Sequence, residues 1–104
     1  MIQVRELQVF IMAAETENFS AAARNLRLSQ PAISFQIQSL EKKLEVQLFE
    51  RKGKRVALTD IGRELLPMAR ELSNLSMSIE GTIAAQHGTL IGHLEIGCGT
   101  SLAK

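Results

Sequence analysis

Tryptophan and tyrosine are absent from these 104 residues, and the aromatics amount to four phenylalanines. Any core must therefore be aliphatic, built from Leu, Ile, Val and Ala around a few rings. A single cysteine, Cys98, excludes an internal disulfide and points to a reducing compartment. No apolar run approaches the roughly 20 residues of a membrane span. The opening MIQVRELQVF carries charges at Arg5 and Glu6 and lacks the layout of a secretory signal. A cytoplasmic location is the expectation from these absences. Catalytic groupings are missing too. Ser34 has no His or Asp at a spacing that could activate it, and no glycine-rich phosphate loop occurs. His93, Glu95 and Cys98 fall short of the four ligands of a structural zinc site. Neither an enzyme, nor a metal site, nor a cofactor site within the chain is expected.

What is present is unevenly charged. The chain has a formal net charge of +1, yet its middle third stands apart. Residues 20–58 hold Arg24, Arg27, Lys42, Lys43, Arg51, Lys52, Lys54 and Arg55 against Glu41, Glu45 and Glu50, a net of +5. The flanking segments, 1–19 and 59–104, are each net −2. A basic excess confined to one segment is the electrostatic footprint of phosphate binding.

The middle third also has the clearest local pattern. An Ala-rich helical stretch over residues 20–26, with Phe19 as a staple before it, is followed closely by Ser29, a good N-cap. Pro31 stands in the next first turn, where a missing N–H costs nothing. Two helices on so short a link must cross steeply, which is the helix-turn-helix shape. Upstream, Leu7, Phe10, Ile11 and Ala14 mark the buried stripe of a helix over 4–16. In the helix over 30–44, Ile33, Ile37, Leu40 and Leu44 face the core, and Pro31, Phe35, Gln38 and Lys42 fall on the opposite side, flanked by Gln30 and Ser34. Leu48 and Phe49 anchor a basic turn, Arg51-Lys52-Gly53-Lys54-Arg55, and Val56-Ala57-Leu58-Thr59 returns as a strand: a β-hairpin wing. Thr59 caps a long helix with Asp60 in its first turn. Ile61, Leu65, Met68, Leu72, Leu75 and Ile79 recur at heptad-like spacing along it. Pro67 should kink this helix. It is expected to fade near Gln86-His87-Gly88, and residues 90–97 to begin a strand, so that the chain looks cut at a domain boundary.

The fold class is thus mainly α: a winged helix-turn-helix of three helices and a hairpin, followed by a long dimerising linker helix. The expected domains are 1–58 for the winged helix-turn-helix, 59–88 for the linker, and 89–104 for the start of a truncated further domain. The order of elements, together with Phe10, NFSAAA, SQPAIS at 29–34, Ile37, Leu40-Glu41, LFER at 48–51, Leu58-Thr59 and Gly62, resembles the DNA-binding half of LysR-type transcriptional regulators. The tail GHLEIGCG is similar to the first strand of that family's effector-binding domain. The resemblance implies major-groove reading by Gln30, Pro31, Ser34 and residue 35, phosphate contact by Ser20 and Ala21, and a grip by the wing residues Arg51, Lys52, Lys54 and Arg55. It also implies a homodimer through the long helix, and a small-molecule co-inducer for the missing effector domain.

No positive charge lies between Gln30 and Leu40. The third helix is therefore expected to read bases with amides, a hydroxyl and an aromatic edge, while the wing supplies the Coulombic grip. Gln30 and Gln38 suit adenine, and Pro31 and Phe35 suit a thymine methyl. The apolar seam through Ile61, Leu65, Met68, Leu72, Leu75 and Ile79 outruns a small domain and is expected to pair with a second copy, giving an inverted-repeat site. Two rival readings are a winged-helix module for protein contacts and a sequence-indifferent architectural DNA binder.

Overall fold

The computed structural model of the protein describes residues 1–92. Its elements run α1 (Val4–Thr16), α2 (Phe19–Leu26), α3 (Gln30–Leu44), β1 (Phe49–Lys52), β2 (Arg55–Leu58) and α4 (Asp60–Gly92). The chain divides into two units, Met1–Ser73 and Asn74–Lys104.

In the first unit, the apolar stripes of three helices meet. Leu7, Val9, Phe10 and Ala13 of α1, Ala22 and Ala23 of α2, and Ile33, Ile37 and Leu40 of α3 are buried together with Leu48, Phe49, Val56 and Ala69. The helices stop abruptly without glycine. Glu17, Arg27 and Glu45 take left-handed φ values of 55°, 57° and 58°, a conformation costing a side-chain-bearing residue about 1–2 kcal/mol. After α2 and α3 the next residue holds the turn in place. Leu28 N–H donates to Ala23 O and Val46 N–H to Glu41 O, while both side chains pack on the core. That combination of a reversed residue and a half-buried follower is a Schellman-type stop. It allows α2 and α3 to be joined by residues 27–29 alone.

The start of α2 differs from the expectation. Asn18, not a residue after Phe19, is the cap, accepting from Ala21 N–H at 3.0 Å. Phe19 is the first helical residue, and its ring meets Phe49 edge-on at 5.6 Å between centroids. Phe10 contacts Phe49 at the same distance. The expected cap of α3 is present: Ser29 Oγ accepts from Ala32 N–H at 3.2 Å, with Pro31 in the first turn.

The hairpin pairs Phe49 with Leu58 and Arg51 with Val56 on one face, and Glu50 with Ala57 and Lys52 with Arg55 on the other. β2 begins one residue earlier than expected, at Arg55. Gly53 takes φ 66° at the first of two turn positions, which glycine adopts without steric cost. Four hydrogen bonds fix the wing to the helices and close its base. The Glu41 carboxylate accepts Leu48 N–H at 2.8 Å and Phe49 N–H at 3.4 Å. Val56 N–H donates to Glu17 O at 3.0 Å, and Thr59 N–H to Leu48 O at 3.0 Å. Thr59 Oγ accepts from Gly62 N–H at 3.1 Å, capping α4 as expected. Gly62 packs so tightly on the strand entry that a Cβ there would stand 2.5 Å from Leu48 O.

α4 carries through Pro67 and past Gly88 to Gly92. Gly88 therefore does not end the helix; among glycines only Gly53 has positive φ in the described residues. An internal glycine costs a helix only about 1 kcal/mol, too little to stop one flanked by helix-compatible residues. The strand expected from residue 90 is helical as far as residue 92, and its remainder lies outside the described residues, as do His93, Glu95 and Cys98. In the first unit, Ile61 and Leu65 are half-buried against the core, whereas Met68 and Leu72 are exposed. In the second unit, taken by itself, Leu75, Met77, Ile79 and Ile83 are exposed. The first two positions of the expected dimer seam thus serve the domain's own core, because the opening turns of α4 lie over the wing base. No described helix is long and apolar enough to cross a membrane.

One buried charge organises the α1–α3 contact. Glu6 is only 2% exposed. Its carboxylate accepts from Gln3 N–H at 2.9 Å and Ser39 Oγ at 2.8 Å, and pairs with Lys43 Nζ at 2.9 Å. Burial pushes this carboxyl up, but the Gln3 N–H, Lys43 and Ser39 together outweigh burial and hold its pKa below the ordinary value. The stabilisation is therefore complete above the unfolded-state value of about 4.3 and is lost as the pH falls through the lower folded value. Glu6→Ala should lower stability by about 1–2 kcal/mol in urea titrations at neutral pH, because it leaves Gln3 N–H and the Ser39 hydroxyl without their acceptor, while the exposed Lys43 stays solvated. Glu6→Gln should lose less stability than the wild type on acidification below that range. Equal acid sensitivity of the two proteins would show that Glu6 does not couple folding to protons.

Candidate nucleic-acid interface

The starts of α2 and α3 and the tip of the wing enclose one shallow groove. Asn18, Phe19, Ser20, Gln30, Arg51, Gly53, Lys54 and Val56 line its outer part. Ser34 and Gln38 of α3 continue it alongside Phe49, Glu50 and Arg51. Six of the expected contact residues are thereby brought together: Ser20, Gln30, Ser34, Gln38, Arg51 and Lys54.

The wing register explains why Arg51 takes part. Arg51 lies on the same hairpin face as Phe49 and Val56, both buried. That face looks toward the helices, so its guanidinium stands over the Phe19 ring, 5.9 Å from the centroid. A cation over an aromatic face is held electrostatically, which keeps the charge at the groove edge. Lys52 and Arg55 occupy the opposite face and are exposed. Arg55 is not free: its guanidinium pairs with the Glu17 carboxylate at the end of α1. The reason is topological, since Val56 N–H is bonded to Glu17 O and carries the neighbouring side chain to that acid.

Phe35 is 69% exposed. It does not pack under the wing; Phe19 and Phe49 fill that space instead. It shares a separate exposed patch with Gln38, Ser39 and Lys42. Pro31 is exposed in the first turn of α3. Ala21 is half-buried, and its N–H is already taken by the Asn18 side-chain oxygen, Oδ1. That leaves Ser20 as the polar group at the α2 start, and its hydroxyl donates to Gln30 Oε1 at 2.8 Å. The bidentate adenine contact expected of Gln30 requires that same oxygen.

Sequence reasoning missed Asn18 and Phe19 as groove residues and Glu41 as the tie between α3 and the wing. Asn18 had a readable signal, because an asparagine three residues before a helical N–H is a common cap. Glu41 had none, since its partners lie seven and eight residues away, at the entry to β1 and beyond the end of its own helix.

Comparison with known proteins places this geometry in context. Residues 4–63 match the model of the bacterial regulatory helix-turn-helix protein family, lysR. The chain is 39% identical over 115 residues to an uncharacterized HTH-type transcriptional regulator of Azotobacter vinelandii, covering 98% of this chain and 80% of that protein. It is 35% identical to the RuBisCO operon transcriptional regulator of Allochromatium vinosum, covering 97% of this chain but only 33% of that protein. Among solved structures, the DNA-binding domain of CbnR in complex with DNA superposes with a TM-score of 0.74 at 40% identity, covering 82% of this chain and 99% of that one.

The unequal states of the wing cations give an ordered expectation. Arg51→Ala or Lys54→Ala should weaken binding to every duplex alike and reduce the salt slope by about one. Arg55→Ala should have a smaller effect, because Glu17 already offsets that charge. Glu17→Gln should strengthen binding and steepen the salt dependence. Fluorescence anisotropy across a salt series checks the order, and a larger loss for Arg55→Ala than for Arg51→Ala would reverse it.

Proposed function

We propose that this chain, which belongs to the lysR family of bacterial regulatory helix-turn-helix proteins, is the DNA-reading part of a transcriptional regulator and binds an inverted-repeat site as a homodimer. The observation that carries the reading is the groove in which uncharged Gln30, Ser34 and Gln38 stand beside Arg51 and Lys54. Base edges are read by hydrogen bonds and apolar contact, whereas phosphates are gripped by cations. The groove supplies both, from different elements. α3 enters the major groove; Gln30, Pro31, Ser34, Phe35 and Gln38 meet bases there. Arg51, Lys52 and Lys54 hold the backbone, with Arg55 contributing less. The first backbone N–H groups of α2 approach a phosphate, as helix N-termini do, while the Ser20 hydroxyl hydrogen is already given to Gln30.

Residues 1–58 form the DNA-binding unit and α4 the linker, which extends to Gly92 rather than ending at residue 88. Met68 and Leu72, and further along Leu75 and Ile79, present apolar side chains to solvent. A second copy covers them, since a lone chain leaves this stripe in water. Two-fold pairing repeats the reading helix and so demands a palindromic site. A small-molecule co-inducer, bound by an effector domain following the linker, then alters the geometry of the pair.

The full chain should sediment as a species of twice 11.5 kDa at micromolar concentration. Leu75→Asp combined with Ile79→Asp should yield a monomer that binds a single half-site but loses about ten-fold or more on a paired site. A monomeric wild type, or one that retains no duplex even in dilute salt, would overturn the proposal.

A further inference from the structure

We infer that Ser20 decides which base Gln30 reads: by engaging the amide oxygen of Gln30, it turns the amide hydrogens outward and selects guanine over adenine. This rests on the reading that α3 faces DNA.

A glutamine amide has one oxygen with two accepting lone pairs at one end and two donating hydrogens at the other. Adenine presents N7 as acceptor and the N6 amino group as donor, so bidentate reading of adenine uses both ends of the amide. Guanine presents two acceptors, O6 and N7; cytosine presents only a donor. In this structure the Ser20 hydroxyl donates to Gln30 Oε1 at 2.8 Å, bridging the starts of α2 and α3. Both residues line the same groove beside Arg51 and Lys54. Ser20 lies in the first turn of a helix whose cap is closed by Asn18 and whose neighbour Phe19 is locked against Phe49. The hydroxyl is therefore held in place, and Gln30 is held by it. With the oxygen drawn toward Ser20 and one of its two lone pairs taken, the two Nε2 hydrogens are the groups turned to the duplex, and the edge with two acceptors matches them best.

Gln38 provides the internal contrast. It stands on the same helix, is exposed, and its side chain has no hydrogen-bond partner among the described residues. Both ends of its amide stay available, so it keeps the capacity for adenine. Two glutamines that are alike in sequence thus differ in what they recognise, and the difference lies in a serine on another helix. Ser20 is a positioning residue in this scheme; Gln30 makes the contact.

The test uses the full chain. Selection from a randomised duplex library defines a site, and anisotropy then measures duplexes carrying each base at the position that Gln30→Ala makes indifferent. The wild type should prefer guanine to adenine there by about ten-fold. Ser20→Ala should erase that preference or turn it toward adenine, with other positions changing by less than about two-fold. Ser20→Thr keeps a hydroxyl and should keep guanine. In a Gln30→Ala background, Ser20→Ala should add no change at that position. A wild type that prefers adenine there, or a Ser20→Ala protein that binds all duplexes more weakly with its base preference intact, overturns the role of Ser20 alone. A wild type that retains no duplex overturns the DNA reading and this inference with it.

Discussion

The seating of Phe49 is the contact on which the arrangement depends. Its ring takes the edges of Phe10 and Phe19, and its N–H points at the Glu41 carboxylate. One residue therefore touches α1, α2 and α3 at once. The hairpin it begins has two strands of four residues each, and an isolated hairpin of that size is marginal in water. Its position is borrowed from the helices through Phe49. Because strand side chains alternate, Arg51 follows on the same face and is delivered over Phe19 to the groove. Lys52 and Arg55 are sent to the opposite face by the same alternation.

The electrostatics follow a division of labour. The outer face of α3 from Gln30 to Gln38 carries amides, a hydroxyl and a ring but no charge, and Arg51 and Lys54 stand on the wing beside it. Separating the two lets long-range attraction and short-range discrimination be set by different residues, since phosphates give affinity and base edges give selectivity. The acids are placed where they act within the protein. Glu41 holds the wing, Glu17 holds Arg55, and Glu6 holds α3 against α1 through Ser39 and Lys43. Burying Glu6 alone would be costly; three donors around it make the burial tolerable and fix the register of the two helices.

Much of this was legible in the chain. The stripe Ile33, Ile37 and Leu40 placed α3 and its outer face, and Ser29 with Pro31 placed its start. The basic turn around Gly53 placed the wing. Other features were not readable. The heptad-like run beginning at Ile61 could not show that Ile61 and Leu65 serve their own domain, since core and partner surfaces draw on the same residue types. The bond from Lys43 to Glu6 was another, because nothing local connects a lysine to an acid 37 positions earlier. Gly88 looked like a helix end, yet a glycine signals termination only where the backbone turns left-handed.

The sequence by itself determined the periodicities, the caps and the uneven placement of charge, because each of these arises among residues within a few positions of one another. Only the tertiary structure decided which cation stays free, which glutamine keeps both ends of its amide, and where the chain reverses at Glu17, Arg27 and Glu45. Those outcomes depend on groups brought together from distant positions: Glu17 with Arg55, Ser20 with Gln30, and the half-buried side chains of Leu28 and Val46 that hold α2 and α3 to their reversed ends. The physical reason is range. Local backbone preference acts over a turn or two of helix, whereas a hydrogen bond or an ion pair responds to proximity in space, which the folded core alone creates.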